Sequence, residues 1–305
     1  MIEFKPVRLE DKQIIERHTM PSGILNCDLA FANMYCWQAM YHSAWAVIDG
    51  FLVIRFHIGG SEKIGYMQPV GEGDFAGIIP ALREDAHAHG QRLRLIGLTD
   101  EGREMIRNMH AGLFAFESDR ALEDYVYNAE DLRNLTGRRY QPKRNHINRF
   151  VENNPTWTYE EITPATLPEC LEMDKEWYRR SLQREGDAEE RDLGDEGIAL
   201  RTAMEHYEEL GLEGGLIRVY GEVVAFTIGD RLSADTYDVH FEKAYGELQG
   251  AYAMINREFA RWVRARHPEI RYLNREDDMG VEGLRKAKQS YYPDLMVEKH
   301  TAVMK

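Results

Sequence analysis

The feature that most constrains the fold is an order of elements that occurs twice in a chain of 305 residues. "AWAVIDGFLVIRF", Ala44 to Phe56, holds two β-branched and aromatic runs around Asp49-Gly50, which is the signature of a tight hairpin. A strand-like "KIGYMQPV" follows, then the glycine-bearing "GEGDF" and an amphipathic helix in "AGIIPALREDAHAHG". Next come the strand "RLRLIGL", a helix in "TDEGREMIRNMH" with Thr99 and Asp100 at its cap, and the extended run "LFAFESDRALEDYVY". The second half opens on another hairpin, "GLIRVYGEVVAFTIG", turning near Tyr220-Gly221. It runs on through "ADTYDVHFEKA", Gly246 and Gly250, the helix "AYAMINREFARWVRARH", the strand "IRYLNRE", the helix "GVEGLRKAKQSYY" and the closing strand "DLMVEKHTAV". The chain therefore reads as a mixed α+β protein with two cores of roughly 150 residues each.

A strand that passes through a glycine loop into a helix aims backbone N–H groups and the positive helix end at any anion above the sheet. The same order is that of the GNAT acyltransferase fold, in which splayed central strands admit the acyl donor. Two tandem GNAT-like domains are expected, each a mixed sheet flanked by helices. They should span residues 1–136 and 153–305, with a basic connecting helix over 137–152.

Composition narrows the function. Residues 1–150 hold 18 Lys+Arg against 20 Asp+Glu, and residues 151–305 hold 20 against 32, so the net charge of -14 belongs almost wholly to the second half. Such a surface repels polyanions at long range and argues against DNA binding, leaving room only for a local RNA contact. The opening "MIEFKPVRLEDK" has no apolar run behind a basic flank, and no stretch approaches the roughly 20 apolar residues that span a bilayer. A cytoplasmic location follows as an expectation. Cys27, Cys36 and Cys170 fit no metal or redox spacing and are expected as buried thiols. His87 and His89 lie on the polar side of a helix end, so no metal site is expected.

Against this acidic background, "GRRYQPKRNHINRF" gathers Arg138, Arg139, Lys143, Arg144 and Arg149. On a helix, 144 shares a face with 148 and 145 with 149, so Lys143, Arg144, Asn145 and Asn148 are expected to form a donor-rich wall for phosphate or carboxylate. A linker helix that neutralises the acidic second half is the competing reading.

That stretch, with "GEVVAFTIG", "DTYDVHFEKA", "GAYAMINREFARW" and "YLNREDDMGVEGLRKAKQSYYP", resembles the soluble relatives of the C-terminal domain of phosphatidylglycerol lysyltransferases. The resemblance covers almost the whole chain. It implies tandem GNAT-like domains related to the Fem-type aminoacyl transferases, with a basic helix beside the donor cleft. It also implies transfer of an aminoacyl group from aminoacyl-tRNA to a lipid hydroxyl or a peptide amine. The chain has no counterpart of the membrane-embedded domain of the full-length lipid enzymes, so a small soluble or peptide acceptor is expected instead.

Acyl transfer needs a group that accepts the acceptor's proton, charge at the carbonyl oxygen and a proton for the leaving group, but no covalent enzyme intermediate. The lack of G-x-S-x-G fits direct attack. Alternation along "DTYDVHFEKA" points Asp238, His240 and Glu242 to one face, as candidate catalytic groups, and Tyr237, Val239 and Phe241 to the core. By the resemblance, Asp238 matches an acidic position beside the reaction centre, and Lys288 matches a lysine assigned to catalysis. The family arginine that follows Asp238 is replaced by Phe241. Asn274 and Glu276 end a strand at the edge where open α/β sheets place ligands, and Tyr291 is a further candidate for substrate contact.

Neither glycine loop suits the pyrophosphate of coenzyme A. Glu247-Leu248-Gln249-Gly250-Ala251-Tyr252 sets an acid where acyl-CoA enzymes carry Gln or Arg, and Gly71-Glu72-Gly73 holds an acid between its glycines. An aminoacyl-tRNA-like donor is therefore expected ahead of acyl-CoA, with a local tRNA contact at the basic helix. A CoA-dependent N-acyltransferase and a catalytically silent GNAT pair that binds a metabolite or partner remain as alternatives.

Overall fold

Both predicted hairpins turn on two residues. Ile48 pairs with Phe51 across Asp49 (φ 46°) and Gly50 (φ 87°), and Val219 pairs with Glu222 across Tyr220 (φ 52°) and Gly221 (φ 86°). Positive φ at both central positions matches the twist of the flanking strands, and a glycine at the second adopts it without steric cost. The computed structural model describes residues 2–185 and 190–305, leaving aside the side chains of 182–185 and 190–193.

The chain divides into two compact units, and neither is continuous in sequence. The first comprises Met1–Asp124, Asp277–Arg285 and Met296–Lys305. Its sheet runs Lys5–Pro6, Ala44–Ile48, Phe51–His57, Ile64–Met67, Arg94–Leu98, His300–Met304 and Phe114–Ser118 in spatial order. The helix Phe75–Ala88 buries Ile78, Ile79, Leu82 and Ala86 in a core with Tyr66, Leu95 and Ile106. Asp74 caps that helix, accepting from the Ala76 amide, and so places an acid at the first expected anion seat.

The second unit comprises Tyr125–Glu276 and Lys286–Leu295. Its sheet runs Leu295–Val297, Asp124–Asn128, Tyr272–Asn274, Thr236–Ala244, Glu222–Arg231, Glu213–Val219 and Thr158–Glu161. The helix Ala251–Arg266 packs on it through Met254, Ile255, Phe259 and Val263, with Phe259 edge-on to Tyr237 at 5.8 Å.

These units replace the contiguous halves expected at 1–136 and 153–305. The run "LFAFESDRALEDYVY" is two strands broken by a short turn of helix at Arg120–Leu122, and the closing "DLMVEKHTAV" is likewise two. Asp124–Asn128 pairs antiparallel with Tyr272–Asn274, while His300–Met304 inserts between Arg94–Leu98 and Phe114–Ser118. Each sheet thus takes a strand from the far half of the sequence, and both exchanged strands have every residue needed for strand propensity but nothing that names a partner. The basic helix, observed at Gln141–Asn153, belongs to the second unit and packs on the helix Ala251–Arg266.

Candidate active site

Alternation along Thr236–Ala244 fails at one residue. Val239 pairs with Gly229 and Phe241 with Ile228, so His240 is an extra residue, a β-bulge. Beyond a bulge the two faces exchange. Asp238, opposite Asp230, and His240 stay on one face; Glu242, opposite Thr227, moves to the other. Their partners agree: Glu242 meets Asn256 on the helix Ala251–Arg266, whereas Lys243 meets Trp177 and Glu196 on the helices before the sheet. The expected single row of Asp238, His240 and Glu242 is therefore two sites, one on each side of the sheet.

The strands Thr236–Ala244 and Tyr272–Asn274 are in parallel register from Thr236–Tyr272 to Asp238–Asn274. Past that point side chains cross from one to the other. On one face His240 Nδ1 meets Glu276 Oε1 at 3.1 Å; on the other Arg275 Nη2 donates to Glu242 Oε1 at 2.8 Å. Arg275 and Glu276 thus serve different faces. Asn274 fixes this corner, its Oδ1 accepting from the Glu276 amide at 2.7 Å, and Glu276 takes φ 55°.

His240 is enclosed by carboxylates. Its Nε2 lies 2.9 Å from Asp230 Oδ1 and its Nδ1 3.7 Å from Asp238 Oδ2, and its side chain is 1% exposed. Burial pulls its pKa down, but the bonds to Asp230 and Glu276 and the charge of Asp238 outweigh that, and it ends well above the ordinary histidine value. At neutral pH His240 is thus an imidazolium that holds acids in place rather than a proton acceptor. The atoms of Asp238, His240 and Glu276 are also close enough to share a metal ion, although an imidazolium cannot ligate one.

On the opposite face, Arg275 lies over Tyr127 (5.7 Å) and Tyr291 (5.1 Å), and Lys143 Nζ sits 3.7 Å from the centre of the Tyr291 ring. Burial and then the Arg275 charge lower Lys143 to about 8, against the pull of Glu242. Lys288 is buried, whereas Leu284, four residues before it, is exposed. Its Nζ donates to the Arg275 carbonyl at 2.5 Å, and its own carbonyl accepts from Tyr127 at 2.8 Å. Lys288 therefore anchors the strand end that carries Asn274, Arg275 and Glu276.

The donor wall expected on the basic helix does not form as a unit. Lys143 shares the buried face with Ile147 and Phe150, which are four and seven residues on. Arg144 turns back to the Leu135 and Gly137 carbonyls and to Gln141, tying down the preceding turn. Asn145, which accepts from Gln141, and Asn148 are exposed, as is Arg149. The second anion seat is closed as well: a Cβ at Gly250 (φ 90°) would lie 2.2 Å from the His146 carbonyl oxygen, so that oxygen faces the helix N-terminus, and Glu247 pairs with Arg180.

Sequence reading missed Asp230, Arg275, Asn256 and Thr227. Asn256 had a signal, a polar residue on the stripe that buries Phe259, Ala260 and Val263. Asp230 had none, since only the cross-strand register brings it to His240.

The comparisons agree with this architecture. No curated protein matches the chain. The family described as phosphatidylglycerol lysyltransferase, C-terminal, matches residues 22–303. Among solved structures, a conserved protein of unknown function from Bacteroides thetaiotaomicron is 42% identical with a TM-score of 0.93, over 100% of both chains. L-PGS from Bacillus licheniformis is 14% identical with a TM-score of 0.67, over 100% of this chain and 94% of that one. FemX is 10% identical with a TM-score of 0.65, over 100% and 98%. The fold is that of tandem GNAT-like acyltransferases, and among the described residues no helix is long and apolar enough to cross a membrane. With its family profile matched from residue 22 to residue 303, the chain belongs to the phosphatidylglycerol lysyltransferase C-terminal family, whose type of activity is acyl transfer.

Proposed function

We propose that the chain is an aminoacyltransferase that moves an aminoacyl group from an aminoacyl-tRNA-like ester to an amine or hydroxyl by direct attack in its second unit. The observation that carries this reading is the pair of ionic bridges, His240–Glu276 and Arg275–Glu242, across the strands at the place where a GNAT fold admits its acyl donor. Asp238 and Glu276, with Asp230, present a negative field that suits the ammonium of an aminoacyl group or of an amine acceptor, and a carboxylate there accepts the nucleophile's proton. The nucleophile bonds to the ester carbonyl carbon, the bond to the ribose oxygen breaks, and that oxygen takes up a proton. Lys288 supplies positive charge beside the strand end where the carbonyl oxygen gains charge.

The closed seat at Gly250 and the acid at Glu247 favour an aminoacyl ester over acyl-CoA. The acceptor belongs to the soluble class, a small molecule or peptide, and the exposed Asn145, Asn148 and Arg149 offer a limited tRNA contact. The test is incubation with a panel of charged tRNAs and of acyl-CoA thioesters, followed by loss of label from donor and by melting temperature. Release of aminoacyl label from tRNA that depends on the protein is expected. Turnover of thioesters alone would replace this reading with a CoA-dependent N-acyltransferase; a small-molecule melting shift with no turnover would make the chain a silent binding pair.

A further inference from the structure

The face that carries Glu242 holds more polar capacity than its own residues use. Asn256 is 4% exposed, and while its Nδ2 lies 3.4 Å from Glu242 Oε2, its Oδ1 is buried with no hydrogen-bond partner among the described residues. Arg275 spends Nη2 on Glu242 Oε1, yet Nη1 is buried without a partner among the described residues. Thr227, fully buried and directly opposite Glu242 in the sheet, has an Oγ1 with no partner among the described residues. Buried polar atoms in folded proteins almost always find partners, and three orphans around one carboxylate point to a ligand that supplies them. Lys143 adds an ammonium beside the same Tyr291 ring as Arg275.

The set has a definite chemistry. Two cations against one carboxylate leave one positive charge to be met, and the guanidinium edge suits a planar anion. Asn256 Oδ1 accepts only, so the ligand must donate to it from a nearby amine or hydroxyl. We propose that this cluster of side chains takes a small amino- or hydroxy-acid with a free carboxylate, which Arg275 Nη1 and Lys143 Nζ bind while Asn256 Oδ1 accepts from its amine or hydroxyl. The binding lies on the face opposite Asp238 and does not rest on the transferase reading. Thr227 Oγ1 completes the site as donor or acceptor.

The test is calorimetric titration of the full chain with L-alanine, L-lysine and L-lactate, each against its carboxamide, and with propionate. The acids are expected to bind at least about tenfold more tightly than their amides. Lys143→Met should weaken the acids about tenfold and leave the amides unchanged. Among the described residues, the charged groups that shift Lys143 are Arg275 and Glu242, and the Tyr291 ring lies against it. With Lys143 at about 8, raising the pH from 7 to 9.5 should weaken the acids in the natural protein and not in Lys143→Met. Asn256→Leu should bring L-alanine and L-lactate down to propionate. Equal binding of acids and amides would mean an ester carbonyl is read here and would overturn the proposal. So would undiminished binding by Lys143→Met, or no binding of any acid. Protein-dependent discharge of charged tRNA without acid binding would sink this inference alone, and acid binding without discharge would sink the transferase reading alone.

Discussion

The two central strand pairs of this molecule are built alike and closed differently. In the first unit, Ile64–Met67 runs parallel to Arg94–Leu98, and the pairing continues as Gln68 donates its amide to Ile96. The Gln68 side chain then turns over the next helix, its Oε1 accepting from the Thr99 amide at 2.7 Å. That closure is neutral. In the second unit, the pairing reaches Asp238–Asn274, and the gap beyond is crossed by His240–Glu276 on one face and Arg275–Glu242 on the other. Ionised groups near the interior are costly, and an uncharged amide would close the same gap at less expense, so their presence in one copy supports the proposal that the second unit carries the transfer.

The comparison breaks most visibly in turnover. Asp238→Asn and Lys288→Met are each expected to lower aminoacyl transfer by about 10²–10³-fold, measured as initial rate with a saturating charged tRNA, while Gln68→Ala in the first unit stays within about twofold. A large loss from Gln68→Ala, with both second-unit variants active, would reverse the assignment of the working copy. Stability comes next. Glu242→Leu leaves Arg275 buried without its carboxylate and should cost about 3–5 kcal/mol in urea unfolding. Gln68→Ala, which removes one hydrogen bond, should cost about 1 kcal/mol. Glu242→Leu combined with Arg275→Met should recover much of the first loss, and failure to recover would show that the pair acts through other contacts.

A further effect is the pH dependence at His240. Its folded-state pKa lies above the unfolded value of 6.5, so the stability it contributes is complete below that value and declines as pH rises through the folded-state pKa. His240→Gln should therefore lose about 2–3 kcal/mol near pH 6 and progressively less toward alkaline pH. A gap that widens with pH would mean the ring is neutral among Asp230, Asp238 and Glu276.

Much of this was open to reading in the letters. Asp49-Gly50 and Tyr220-Gly221 announce their hairpins because φ > 0 is a local requirement, and the helix Ala251–Arg266 announces itself because its apolar stripe has the helical period. Lys288, Asp238 and Asn274 were reached by element order and resemblance, and all lie at the second strand pair. The face of Glu242 was misjudged because alternation assumes an unbroken pleat, and the extra residue at His240 is visible only against the register of Glu222–Arg231. Arg144 shows the same limit: helical spacing gives its face, but not the Leu135 and Gly137 carbonyls that capture it.

By itself the sequence determined the duplicated order of hairpin, strand, helix and strand, the family, and the types of residue at the second strand pair, because these depend on spacing, propensity and side-chain chemistry along the chain. Tertiary structure alone decided that Asp124–Asn128 and His300–Met304 are exchanged between the sheets, that the bulge at His240 splits one row of ionisable groups into two opposed sites, and that Lys143 faces inward while Asn145 and Asn148 face out. The strand exchange depends on backbone pairing between distant parts of the chain, the bulge on the register of two neighbouring strands, and the facing of Lys143 on packing against the helix Ala251–Arg266, and none of these is set by the stretch itself.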